Sequence, residues 1–292
     1  MSAPAERSSS PWAFGQVMAL GVTLALGQSH ASDVTQRCWG LLDGAAQDRN
    51  PDIRKDAAEA LSLVPTSNRV LQRLASMLSD HDVAVRIATV STLGDFRDGR
   101  AVPFLKKAVS DPVPEVDFAA AKVLYHLRDP EGVRFLLAVA AGESKGSSSY
   151  LSTEERNALR MLHTPTKLFM FAAVEAVSFV PVPGLGVGIS SAQGILSNPE
   201  SSARASALLL IARSRDPALD GSVESALSAK EWSERAAAAH VVATHPFPAF
   251  RQKLVPLLDD KKGAVRLRAA AAYIRLQSGA QAQPAAVGPS RR

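Results

Sequence analysis

The sequence predicts an all-α protein, an α-solenoid of stacked helical hairpins. Three observations carry that prediction. One pattern recurs at a nearly fixed interval, alanine is abundant while aromatics make up only 5% of the chain, and no β-branched alternation bounded by turns stands out. Alanine is the strongest helix former, and small side chains let helices approach closely. A fixed period of about 20–50 residues marks a stacked repeat array.

The chain has 292 residues, of which 46% are apolar, so a substantial core can be buried. Its formal charge is +5, from 33 basic and 28 acidic residues. That mild excess is spread along the chain rather than gathered on one basic face, so no nucleic-acid partner is expected. The single cysteine, Cys38, excludes an internal disulfide and the spacings of cysteine-ligated zinc.

The first element is residues 1–31. No charge lies between Arg7 and Asp33, and the stretch WAFGQVMALGVTLALG, Trp12 to Gly27, is apolar. The small residues Ser29 and Ala31 follow two apart. This is the layout of a signal peptide, with cleavage after Ala31 and a mature chain starting near Ser32. An uncleaved helix that packs on the array or anchors in a membrane is the other reading.

The repeats follow. The copies are DIRKDAAEAL at Arg54, AVRIATVSTL at Arg86, EVDFAAAKVL at Asp117, SARASALLLI at Arg204, SERAAAAHVV at Arg235 and AVRLRAAAAY at Arg266. Arg54 to Arg86 is 32 residues, and Arg86 to Asp117, Arg204 to Arg235 and Arg235 to Arg266 are 31 each. Seven residues after each anchor stand Leu61, Leu93, Leu124, Ile211, Val242 and Tyr273. An amphipathic helix precedes several copies, as in VLQRLASMLSD, AVPFLKKAVSD and FRQKLVPLLDD, with apolar residues at i, i+3, i+4 and i+7. Each ends in a polar turn before the second helix. Asp52, Asp82 and Ser233 stand where an N-cap is expected. One hairpin cannot bury its apolar face alone, so copies stack and share a continuous core.

These Asp-x-x-Val-Arg-x-x-Ala-like runs resemble HEAT repeats, in the short bacterial form related to phycobilisome-lyase-type repeats. The resemblance covers most of 34–276, as repeats over 34–163 and 200–276. It implies a superhelix with a concave binding surface lined by the second helices, and a scaffold role. Asp117 departs from the pattern by replacing the usual arginine. A degenerate fourth repeat reads EGVRFLLAVAAG and STEERNALRML.

Residues 164–199 interrupt the array. Between Leu168 and Leu196 the only charge is Glu175, and Pro181, Pro183, Gly184, Gly186 and Gly188 break the stretch. Each half is shorter than the roughly 20 residues that a membrane span needs. A hairpin that touches a bilayer or a partner is one reading. Core continuous with the array is the other, with VGISSAQGIL as the first helix of the next repeat. Residues 277–292 read as a disordered tail.

No catalytic pattern emerges, and no cofactor or metal is expected. None of the histidines is followed by Glu, so the His-Glu pairs of the iron-dependent hydroxylases with similar repeats are absent. His240 and His245 read as surface or capping residues. The recurrent Arg204, Arg235 and Arg266 would form a ladder, either bridging repeats through carboxylates or binding anions. The family's concave face makes Lys55, Glu59, Thr89, Thr92, Lys122, Tyr125, His126, His240 and Arg275 the candidate contacts for an unknown protein partner. Tyr125 leads them, as a large amphipathic side chain in the one copy that lacks the arginine. The expected function is a non-enzymatic protein-interaction scaffold, exported or envelope-associated. The alternatives are an auxiliary lyase- or hydroxylase-like repeat protein acting on a protein-bound group, and a membrane-associated adaptor using 168–196.

Overall fold

The computed structural model describes residues 31–141, 189–212, 216, 218–245 and 247–282. No strand occurs among them. The first half holds α1 (31–45), α2 (Pro51–Leu61), α3 (Asn68–Met77), α4 (Val83–Asp95), α5 (Val102–Ala108, after a short 3-10 turn), α6 (Pro114–His126) and α7 (Pro130–Ala140). The second half holds α8 (Ile189–Leu196), α9 (Ala203–Ile211), α10 (Leu219–Leu227), α11 (Trp232–Thr244) and α12 (Gly263–Ala282), with 3-10 turns at Pro248–Leu254 and Pro256–Asp259 before α12.

Local chemistry sets the helix ends. Asp82 caps α4 by accepting from the N–H groups of Ala84 and Val85. The two other expected caps differ. Asn50, not Asp52, caps α2, and the Ser233 hydroxyl accepts from the Ser202 N–H of the neighbouring repeat. At the other end α6 closes with the residue Arg128 left-handed, at φ 60°. The Arg128 N–H donates to Tyr125 O and the Asp129 N–H to Leu124 O, which satisfies two free carbonyls. Arg97 holds the same conformation after α4, at φ 49°.

The anchored helices form one layer and the helices before them another. Within the anchored layer the packing order is α9, α11, α12, α2, α4, α6. Sequential stacking would have set the second half beyond α6 and α7. Instead α12 lies against α2, and each helix covers a flank that its own half leaves bare. Ala57, Ala60 and Leu61 of α2 and Ala269 to Ala272 of α12 are buried. α11 is buried at Ser233, Glu234 and from Ala236 to Ala243, and its alanines let α9 and α12 close on it from both sides.

The expected tail begins later than residue 277, because α12 runs to Ala282. Residues 1–30, 142–188 and 283–292 lie outside the described set, and with them nearly all of the proposed signal segment, the STEERNALRML half of the degenerate fourth repeat and most of the apolar interruption, whereas the EGVRFLLAVAAG half of that repeat forms α7. The part of that interruption which is described, α8, is helical as expected. It does not take the outer position of a first helix. It lies across the anchored layer, against α2, α4 and α11 as well as α9. No helix among the described residues is long and apolar enough to cross a membrane.

Candidate functional site

The repeated arginines bridge neighbouring repeats. Arg54 meets Asp80 through Nε and Nη2, both at 2.7 Å. Arg86 meets Asp111 at 2.9 and 3.1 Å, and Arg235 meets Asp260 at 2.6 and 3.0 Å. Each guanidinium also donates to two carbonyls of its own inter-helix turn, such as Asp80 and His81 for Arg86. Each aspartate also accepts from a turn N–H two residues on, at Asp82, Val113 and Lys262. The planar guanidinium fork suits this double duty. The Arg54 bond holds the Asp80 carboxyl below its ordinary range. Arg204 reaches Glu234 instead, at 3.1 Å. Arg266, last in the series, donates to the carbonyls of Asp260 and Lys261. The ladder therefore joins one hairpin to the next, as one of the two sequence readings had it.

A second polar cluster lies beneath α8. Arg268 is 1% exposed, and its Nη2 donates to Glu59 Oε2 at 3.2 Å and to Ser191 O at 3.0 Å. Lys55 stands 3.7 Å from the other Glu59 oxygen. Burial pushes the Glu59 carboxyl up to about 7, against the pull of Arg268 and Lys55. Asp95 accepts from the Ser190 N–H at 2.8 Å, at the start of α8, where free N–H groups and the helix dipole favour an anion. Burial pushes its carboxyl up to about 7 as well. Gly194 completes the seat, since a β-carbon there would overlap the Glu59 carboxylate.

Several expected contact residues belong to this buried region. Thr92 Oγ1 donates to Ala58 O of the neighbouring helix at 3.0 Å, and Thr89 Oγ1 donates to Val85 O at 2.7 Å. His240 is buried on α11, and burial drops its pKa to about 3. It is not a surface residue, whereas His245 is the C-cap of α11. Glu59, Thr89, Thr92 and His240 thus offer no free surface to a partner. Lys55 and Arg275 are half-buried, and Arg275 donates to Leu63 O at 2.9 Å, across the junction of the two halves.

The other three expected contacts are exposed together on α6. Tyr125 is 52% exposed. Its ring meets that of His126 edge-on at 5.7 Å, and Lys122 lies over the Phe118 ring at 5.5 Å. Gly132 lets α7 approach this turn, since a β-carbon there would sit 2.5 Å from Tyr125 N and 2.7 Å from Ala121 O.

Sequence reasoning missed Arg268, Asp95, Ser190, Ser191 and Gly194. One signal was present. Two residues after the anchor most copies carry alanine or serine, but the first carries Asp56 and the last Arg268. Those two charges mark the flanks that meet, where burial raises the Asp56 carboxyl against the pull of Arg268.

Among the described residues no group of three or more His, Cys, Asp or Glu side chains is placed to hold a metal ion. Cys38 is buried in α1, its thiol pushed up to about 12. The buried carboxylates bond to backbone or guanidinium groups of the fold itself.

No curated protein matches the chain. Among solved structures it is similar to human deoxyhypusine hydroxylase in complex with glycerol, at 16% identity and a TM-score of 0.32, over 88% of this chain and 99% of that one. A likeness that distant does not bear on activity. The family model for HEAT repeats matches residues 71–147, from α3 through α7. The period of 31 to 32 residues and the two-layered stack of helices run on beyond that match, so the described residues form an all-α solenoid that carries HEAT repeats over 71–147.

Proposed function

We propose that the protein is a non-enzymatic interaction scaffold that binds a protein partner through the Tyr125 surface of α6, and that it is exported or envelope-associated. HEAT repeats generally mediate protein–protein contact, which supports the first part. The carrying observation is Tyr125, with half its surface in solvent on a helix clamped by α4, α5 and α7. A rigid, amphipathic aromatic beside a lysine and a histidine is a low-entropy anchor of the kind that dominates interfaces. The uncharged residues 8–32 support the export reading.

The test is Tyr125→Ala, measured by melting and by affinity capture from the native envelope. Unchanged melting with lost capture supports the interface. Lost stability with capture intact in the folded fraction makes Tyr125 a packing residue. Metal analysis of the purified protein guards the non-enzymatic claim, since stoichiometric iron would overturn it. N-terminal sequencing of exported material should begin near Ser32, and retention of Met1 or Ser2 removes the export claim.

A further inference from the structure

The position of α8 breaks the rule of the array. By period it is the first helix of the α9 repeat. α3, α5 and α10 each pack chiefly on their own second helix, whereas α8 touches its own second helix, α9, and also crosses α2, α4 and α11. It is fastened at its start, by Asp95 to the Ser190 N–H, and at its crossing point, by Arg268 to Ser191 O. An eight-residue helix is too short to persist alone, so its form depends on that seat.

The seat is polar and incompletely matched. Ser191 is 0% exposed, yet its hydroxyl has no hydrogen-bond partner, nor has Nε of Arg268, which is buried as well. Such groups cost free energy where they stay unpaired. Elsewhere the anchored helices close on one another mainly through buried alanines, such as Ala236 to Ala239 of α11 and Ala269 to Ala272 of α12. The groove under α8 instead presents an anion to a helix start and a buried ion pair to a residue with no side chain.

We propose that this groove is a helix-recognition site, that α8 is its intramolecular occupant, and that a partner helix displaces α8. The partner's chemistry is set by the seat: free N–H groups at its start facing Asp95, and glycine over the Glu59–Arg268 pair. A hydroxyl acceptor reaching Arg268 Nε gives it an advantage over α8. The inference rests on the scaffold reading only in naming the displacing helix a partner. Its test uses this chain alone, so a failed Tyr125→Ala capture leaves it standing.

Two measurements test it, with an acetylated peptide copying residues 189–200 as the probe. In the full chain carrying Ser191→Cys, labelling of the introduced thiol under native conditions is compared with that of Cys38, which is buried in α1. Each rate is normalised to the same thiol in the urea-unfolded chain. The introduced thiol should react at least about tenfold faster than Cys38, and faster still as peptide is added. Equal rates for the two thiols, with and without peptide, would overturn the proposal, because α8 would open only when the whole protein does. The second measurement is peptide binding to Gly194→Leu, which cannot seat its own α8. A folded Gly194→Leu chain should bind the peptide, and adding Asp95→Asn should weaken binding about tenfold. A folded variant that binds no peptide sinks the idea. If that variant does not fold, the thiol rates decide.

Discussion

The Arg268 guanidinium lies 3.2 Å from the Glu59 carboxylate across 209 residues of chain. It ties the last anchored helix to the first, and both partners are buried. Removing one partner of such a pair leaves either an unmatched charge or a proton taken up in its place, at a cost of up to about 3–5 kcal/mol. Arg268→Met should therefore destabilise the chain by that amount in urea unfolding. Glu59→Gln together with Arg268→Met should recover a large part of the loss, because no charge is then left unpaired. A double variant as unstable as Arg268→Met would show that the guanidinium matters for its bond to Ser191 O and not for Glu59.

Stability should rise as pH falls from about 7 to 5. Glu59 and Asp95 have folded pKa values of about 7, above their ordinary values of 4.5 and 3.8. The native state then holds protons that the unfolded state releases. The gain is full below the unfolded values and is lost as pH rises through 7. His240 acts the other way. Burial lowers it from 6.5 to about 3, so its contribution is present above 6.5 and fades as pH falls. Two carboxylates against one histidine leave a net uptake near one proton, a slope of about 1.4 kcal/mol per pH unit. Asp56, also raised by burial, adds to the same side. The ladder aspartates Asp80 and Asp260 are lowered, so their loss comes only in stronger acid. Urea melts at pH 5, 6, 7 and 8 measure this, and Asp95→Asn should flatten the curve. A profile that falls from pH 7 to 5 in the unmodified chain would mean that Glu59 and Asp95 do not hold raised pKa values in the folded state.

The ladder gives a separable prediction. The Arg86 and Asp111 side chains are 10% and 9% exposed. Asp111→Ala removes two guanidinium bonds and one turn bond, and should cost about 2–4 kcal/mol. A double-mutant cycle with Arg86→Ala should return a coupling of about 1–3 kcal/mol. A coupling near zero would leave the turn bond to the Val113 N–H as the whole effect.

Hairpins, period and ladder were legible because each is a local pattern. The first-helix stretches that end in Asp80, Asp111 and Asp260 even display the acceptors at the repeat spacing. The packing order was not legible. Period says that hairpins stack, but an apolar flank on α2 looks the same whether it meets a helix before it or one 200 residues later. Only Asp56 and Arg268, charged where sister copies carry small residues, betray that junction. The candidate contacts divided for the same reason. Tyr125, Lys122 and His126 lie on a helix whose neighbours are local. Glu59, Thr89, Thr92 and His240 were assigned to an open face, and the covering element, α8, carries too few residues for its period to say which side of the array it takes.

Ala237→Leu tests the phase of the anchored helices. Ala237 is fully buried on α11, between α9 and α12. Extra methyl groups there force the neighbours apart, so a loss of roughly 1–3 kcal/mol is expected in urea melts. Ala271→Leu on α12 should behave alike, since it too is fully buried. An unchanged midpoint at either site would place that alanine on a free face.

Arg128 and Arg97 hold left-handed backbone, which costs an L-residue roughly 1–2 kcal/mol. Glycine removes that strain but makes the unfolded chain more flexible, which takes back roughly 0.5–1 kcal/mol. Arg128→Gly should therefore stabilise by about 0.5 kcal/mol, because the Leu124 and Tyr125 carbonyl bonds of the α6 terminus are backbone bonds and survive. Arg128→Ala keeps a β-carbon and should bring no gain. Arg97→Gly has a second consequence. The Arg97 charge is one of the influences that lower the buried Asp95 carboxyl. Removing it takes away favourable attraction as well as strain, so Arg97→Gly should gain less than Arg128→Gly at pH 8. At pH 5, where Asp95 is protonated, the two should converge. Urea midpoints of the three variants at both pH values decide the matter, and a gain for Arg97→Gly equal to that of Arg128→Gly at pH 8 would show that Arg97 does nothing for Asp95.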